Sequence, residues 1–240
     1  MSLSEKASLS TSPTLSNKVF NELRRDILLG VYQPAQKLLL NELKERYGVG
    51  GSPIREALLQ LSWHKYVVME PQRGFWVAPI SLDELRDILR VRLALAEQAI
   101  RRSLEQGDEA WELEVVASYH RLSRIDPRAS DVDLQDWADR HMAFHLAIIN
   151  GGHSPVVIDL MESLYNRLER YRHIWFDPKL PAALRYSDEG EHQAIMEAVL
   201  ARDVPRTLAL LDQHYAHIMS VAESLTAESF QSRAAKPELA

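Results

Sequence analysis

One change of period constrains this chain more than any other feature. Up to about residue 65 the apolar residues recur at helical spacing, from 66 to 78 they gather into two β-rich runs, and from 82 to about 224 helical spacing returns. In the first segment Val19, Leu23, Ile27 and Leu28 share a helical face that stops at Gly30. A short helix follows over 39–47 and a tight turn over 48–51. Ser52 then reads as the N-cap of a third helix, with Pro53 as its first residue, running to about Lys65. The runs 66–70 and 75–78 flank Pro71-Gln72-Arg73-Gly74 and read as a hairpin. Three helices and a hairpin is the order of a winged helix-turn-helix.

The remainder predicts helices over 82–105, 109–124, 132–150, 155–176, 182–202 and 205–224. Their short connectors imply an antiparallel bundle. The expected fold is therefore mainly α, an N-terminal winged helix-turn-helix followed by an all-helical antiparallel bundle. The expected divisions are a DNA-binding domain over 15–79 and a larger helical domain over 80–225, for effector binding and dimerisation. Residues 1–14 and 226–240 read as disordered ends.

Charge is divided along the same boundary. The chain has 240 residues and a net charge of −6, yet residues 15–78 carry nine Lys/Arg against six acids. An excess of acids is left to the rest, so one end can approach phosphates while the other keeps the protein in solution. The absence of Cys excludes disulfides, thiolate metal sites and Cys nucleophiles. No apolar run approaches the roughly 18 residues that span a bilayer. Together these features lead us to expect a cytoplasmic protein.

A recognition helix offers its first residues to base edges while neighbouring groups hold phosphates. Arg55 lies one turn into the third helix, within reach of a phosphate or a guanine edge. Gly51 and Ser52 lie at that helix's start. Asn41 and Lys44 on the second helix are candidate phosphate contacts, and Arg73 with Gly74 at the hairpin tip can enter a minor groove. Taken singly, each charge also fits an ordinary solvated surface; their placement on one motif favours DNA.

Residues 18–79 resemble the GntR family of bacterial regulators. The resemblance lies in Leu23, Ile27, Gly30, Pro34 and Leu38, in Tyr47-Gly48-Val49, in Ser52-Pro53-Ile54-Arg55-Glu56-Ala57-Leu58, and in Arg73-Gly74-Phe75-Trp76-Val77. It implies binding to a double-stranded DNA operator. Gly50-Gly51-Ser52 stands where the family usually has Ser-Arg-Thr, so Gly51 replaces a base-reading arginine, and Asn41 replaces another. The family's operator sequence is therefore not carried over.

In the helical half, four imidazoles fall on inward faces. His141 and His145, four residues apart, join the stripe of Leu134, Trp137, Phe144 and Ile148; His192 joins Ile195, Met196 and Val199; His214 joins Leu211, Ile218 and Val221. One such histidine is usually a hydrogen-bonded core residue, but four share a cation more readily than they share a dry core. Arg92 interrupts the stripe of Leu85, Ile88, Leu95 and Ala99 and needs an anion. Either a buried acid or the carboxylate of an effector answers that need.

This half is similar to the FadR C-terminal ligand-binding domain over 82–222. The matching residues are Val91-Arg92, Phe144-His145 with Ala147-Ile148, Glu191-His192 with Ala194-Ile195, Ala198-Val199, Ala201, Asp203 and His214. The resemblance implies an ion held by one Asp and three His, with organic acids as effectors. Here His141 occupies the aspartate position, and Asp139 faces about 200° around the helix from it. An all-histidine site of His141, His145, His192 and His214 is expected, suited to zinc or nickel, with His217 in reserve.

Gly107-Asp108-Glu109 with Trp111-Glu112, and Arg170-Tyr171-Arg172 with Ile174-Trp175, resemble the carbon-starvation-induced repressor group. That likeness implies a short dicarboxylate or an amino-acid catabolite as effector. The whole predicts a homodimeric regulator on a palindromic operator, with a small carboxylate bridging the metal and Arg92. The alternatives are a regulator for which the metal is itself the signal, purely structural histidines, and a metalloenzyme; no acidic base is evident beside the histidines in sequence, and no catalytic residue is assigned.

Overall fold

The computed structural model describes residues 14–129, 132–171, 188 and 190–224. Among them are nine α-helices and three short strands. Helix α1 (Leu15–Leu28) starts where the Thr14 side chain accepts from the Asn17 amide, and it buries Val19, Leu23, Ile27 and Leu28. Helix α2 (Leu40–Tyr47) stops at Gly48, whose φ of 63° is left-handed.

Helix α3 spans Gly51–Trp63, starting two residues earlier than expected. Gly50 rather than Ser52 is its N-cap, and no side chain caps it. Pro53 is then the third helical residue, a place it tolerates because the first-turn amides have no intrahelical acceptor to lose.

The wing contains an unexpected strand. Strands β2 (Val67–Glu70) and β3 (Gly74–Val77) form the expected hairpin, and β1 (Lys37–Leu38) joins the other edge of β3, giving an antiparallel sheet of order β1-β3-β2. Two residues are too few to show a period of two. A single apolar cluster lies beneath, including Val19, Leu23, Leu43, Ile54, Leu58, Leu61, Tyr66 and Val77.

Each of the next three helices has an acidic or hydroxyl cap. Ser81 caps α4 (Leu82–Gln106), Asp108 caps α5 (Glu109–Ser123), and Asp133 caps α6 (Leu134–Asn150). Pro155 opens α7 (Pro155–Glu169); α8 (Glu191–Leu200) and α9 (Val204–Ser224) follow. Trp111 sits in a notch between α4 and α6: its indole donates to the Ala147 carbonyl at 2.8 Å, and a Cβ on Gly107 would lie 2.2 Å from its ring. Asp108, Trp111 and Glu112, which bonds Arg202, thus serve packing, a sufficient physical reason for that motif.

Helix α7 ends seven residues before the expected 176. The chain turns at Arg170, whose guanidinium donates to the Pro79 carbonyl and Glu84, both at 2.6 Å, while the Tyr171 hydroxyl donates to Glu84 at 2.8 Å. These distant partners outweigh continuation of the helix. Of the expected 182–202 helix the structure describes the later part as α8 (Glu191–Leu200), N-capped by Gly190; residues 182–187 and 189, the motif residues Arg172, Ile174 and Trp175, and the ends expected to be disordered lie outside the described residues, Thr14 excepted. No described helix is long and apolar enough to cross a membrane.

Candidate nucleic-acid interface and metal centre

The sequence candidates for DNA contact fall on three neighbouring elements. Gly51, Ser52 and Arg55 occupy the first turn and a half of α3, with Ser52 and Arg55 exposed. A Cβ built on Gly51 meets nothing within 4 Å, so the glycine is not there for lack of room. Asn41 is exposed and Lys44 half-buried on α2. Arg73 is exposed in the turn between β2 and β3, pairs with Glu70 at 2.7 Å, and lies over the Trp76 ring at 5.8 Å. Gly74 starts β3 with a φ of 116°, a conformation that a side chain would strain.

The four histidines converge. His141 and His145 from α6, His192 from α8 and His214 from α9 are all buried, each with a ring nitrogen within 4.8 Å of the others'. His141 Nε2 and His145 Nε2 are 3.2 Å apart. The remaining faces of three rings are held from outside. His141 Nδ1 bonds the Tyr165 hydroxyl, which donates in turn to the Ala138 carbonyl at 3.4 Å. His192 Nδ1 donates to Asp188 at 2.7 Å and His214 Nδ1 to Glu191 at 2.7 Å. A proton held on Nδ1 leaves the Nε2 lone pair aimed inward, which is how carboxylates orient ligating imidazoles.

Electrostatics agrees with a ligand set rather than a cluster of cations. Burial, then the neighbouring imidazoles, hold His141 and His145 well below the usual histidine range; burial lowers His214 to about 4 against the pull of Glu191. Neutral imidazole is the form that binds metal. His192 Nε2 is buried and has no hydrogen-bond partner among the described residues, an orphaned lone pair that a cation would satisfy.

Asp188 and Glu191 are the acids that inspection of the sequence did not connect to the histidines. The first lies four residues before His192, a spacing that was legible; the second reaches across to α9, which spacing cannot reveal. Asp139 stays out of the cluster, its side chain 52% exposed and bonded to Gln135. His217 also stays outside, donating to the other oxygen of Glu191 at 2.8 Å.

Arg92 is 1% exposed, and no acid meets it among the described residues. Its guanidinium lies between the rings of Tyr215 and Tyr165, at 4.9 and 5.2 Å, and its Nε has no hydrogen-bond partner. Tyr165 thereby touches both Arg92 and His141. A small cavity of about 10 Å3, partly open to solvent, is lined by His145, Tyr215, Ala96 and Ile148 beside them.

Known proteins carry the same two halves. The description "Bacterial regulatory proteins, gntR family" matches residues 15–77, and the FCD domain matches residues 87–217. The uncharacterised HTH-type transcriptional regulator BphR of Paraburkholderia xenovorans (strain LB400) is 38% identical over 87% of this chain and 85% of its own. The HTH-type transcriptional repressor GlaR of Escherichia coli (strain K12) is 37% identical over 80% of this chain and 88% of its own. Among solved structures, E. coli McbR/YncC shares the fold with a TM-score of 0.69 at 22% identity, covering 89% of this chain and 99% of that one. A putative GntR regulator from Rhodococcus sp. RHA1 does so with a TM-score of 0.67 at 18% identity, over 88% and 98%. These are regulators and not enzymes, and the chain belongs to the GntR family of bacterial DNA-binding transcription regulators, with an FCD domain as its helical half.

Proposed function

We propose that this regulator is a homodimeric repressor whose hold on a palindromic operator is set by a small carboxylate, bound between Arg92 and a divalent ion. The observation that carries the reading is the buried Arg92 guanidinium, without an acid partner among the described residues, beside four inward-facing imidazoles. A buried cation of that kind calls for an anion. The name of GlaR, a repressor of similar length and sequence, supports the sign of regulation.

The residues fit a zinc or nickel ion. His141, His145, His192 and His214 would hold it, and it would supply a positive centre to attract a carboxylate. Asp188, Glu191 and Tyr165 orient the rings and fix the proton on the outer nitrogen of His192, His214 and His141. Tyr165 and Tyr215 flank the guanidinium and screen it from water. A ligand that prefers one arrangement of the two domains then shifts the population that binds DNA. Two recognition helices related by a twofold axis read two half-sites.

One observation favours a second reading. Four protein ligands close a tetrahedral ion, as in structural sites, whereas sites that admit a further ligand usually keep three. The ion would then be the signal itself. Gel shifts on the DNA upstream of the gene, with chelated and metal-loaded protein and with a panel of short carboxylates, separate the two. Release by a carboxylate only in the loaded protein supports the first reading. Release by metal alone, indifferent to every carboxylate, supports the second and rejects the first.

A further inference from the structure

The wing carries a cation that strand β1 brings into place. Lys37 stands directly across from Trp76 in the β1–β3 register, and its ammonium lies over the indole, 5.1 Å from the ring centroid. A Cβ built on Gly74 would come within 3.8 Å of Lys37 Cε, so the lysine stem runs alongside the tip of the wing. Arg73 approaches the same indole from the turn. The two cations differ in how their charge is balanced. Arg73 is paired with Glu70 at 2.7 Å, whereas the exposed Lys37 ammonium meets no acid among the described residues.

We propose that Lys37 is a DNA-backbone contact of the wing, neutralising one duplex phosphate beside the point where Gly74 approaches the groove. A free lysine chain loses much rotamer freedom when it binds. Trp76 removes part of that loss beforehand, because an exposed cation–π contact biases the side chain without binding it tightly enough to withhold it from a phosphate. The Arg73–Glu70 pair contributes almost no net charge, so Lys37 supplies the positive charge of the tip. Its contact carries no base information and acts on all duplexes alike.

Anisotropy of a labelled mixed-sequence duplex, titrated with the full chain over a range of KCl concentrations, tests this directly. Lys37→Gln should weaken binding and make the plot of log affinity against log salt shallower by about 0.9 for each lysine engaged. Lys37→Arg, which keeps the charge, should retain the original slope. Lys37 is exposed in a two-residue strand, so both variants should fold with an unchanged Tm. A Lys37→Gln protein with the parental slope overturns the proposal, as does a loss that Lys37→Arg shares in full.

Discussion

Tyr165 and Glu169 stand four residues apart on α7, the first against the histidine cluster and the second in the seam with the DNA-binding domain. The Glu169 carboxylate, its side chain 1% exposed, accepts from Arg24 of α1 at 2.7 Å and from the Tyr66 hydroxyl. Asn166, on the same helix, meets Tyr66 at 3.1 Å and His64 at 3.3 Å. Helix α7 has proline only at its start and no glycine, so its turns move together. A ligand that displaces Tyr165 therefore displaces the groups that hold the DNA-binding domain.

Removing the carboxylate tests that seam. Glu169→Ala removes the buried carboxylate of the Arg24 pair, leaving Arg24, among the described residues, only the exposed Asp139 at 3.7 Å as an acid partner and the Tyr66 hydroxyl only Asn166 at 3.1 Å as an acceptor. We expect a loss of about 3 kcal/mol, toward the lower end for a broken buried pair because Arg24 keeps some exposure. Calorimetry should show the two domains melting further apart than in the parent, and urea titration should give the loss. A single transition at the parental midpoint would mean that the pair does not hold the seam.

Arg92→Met replaces a buried cation that has no acid partner among the described residues by a side chain of similar length. Because the guanidinium has no acid partner among the described residues to leave behind, stability should be unchanged or raised by about 1 kcal/mol or more. Metal uptake should persist, and every thermal shift produced by carboxylates should vanish. A retained shift would place the acid elsewhere.

The outer carboxylate of His192 should matter to metal affinity without being a ligand. Asp188→Ala removes the acceptor that holds Nδ1–H, and such changes cost roughly 10- to 100-fold in affinity. Competition against a chromogenic chelator measures this. Equal affinity in variant and parent would exclude an orienting role for Asp188.

Metal-free protein should lose stability on acidification. Folding lowers the proton affinity of His141, His145 and His214, the last to about 4, so below the unfolded value near 6.5 the unfolded chain binds more protons. Stability is full above that value and falls as pH drops toward 4, by up to about 1.4 kcal/mol per pH unit for each histidine. Chemical denaturation at a series of pH values between these limits reads the slope. A flat profile would show that the rings take up protons over the same pH range in the fold as in the unfolded chain.

Much of this was legible in the residues, and the rest was not, for one reason. The helices of both domains and the inward faces of His141, His145, His192, His214 and Arg92 follow from local spacing, which determines the side of an element on which a residue lies, whereas the one N-cap read from the sequence, Ser52, gave way to Gly50. The sequence by itself thus determined the order of elements, the family and the inward side chains. Tertiary structure decided where those faces meet: β1 against β3, the turn that ends α7 at Glu169, Glu191 across from His214, and Glu169 beneath Tyr66. Those pairings join residues far apart along the chain, and only the packing of the helices brings them within hydrogen-bonding distance.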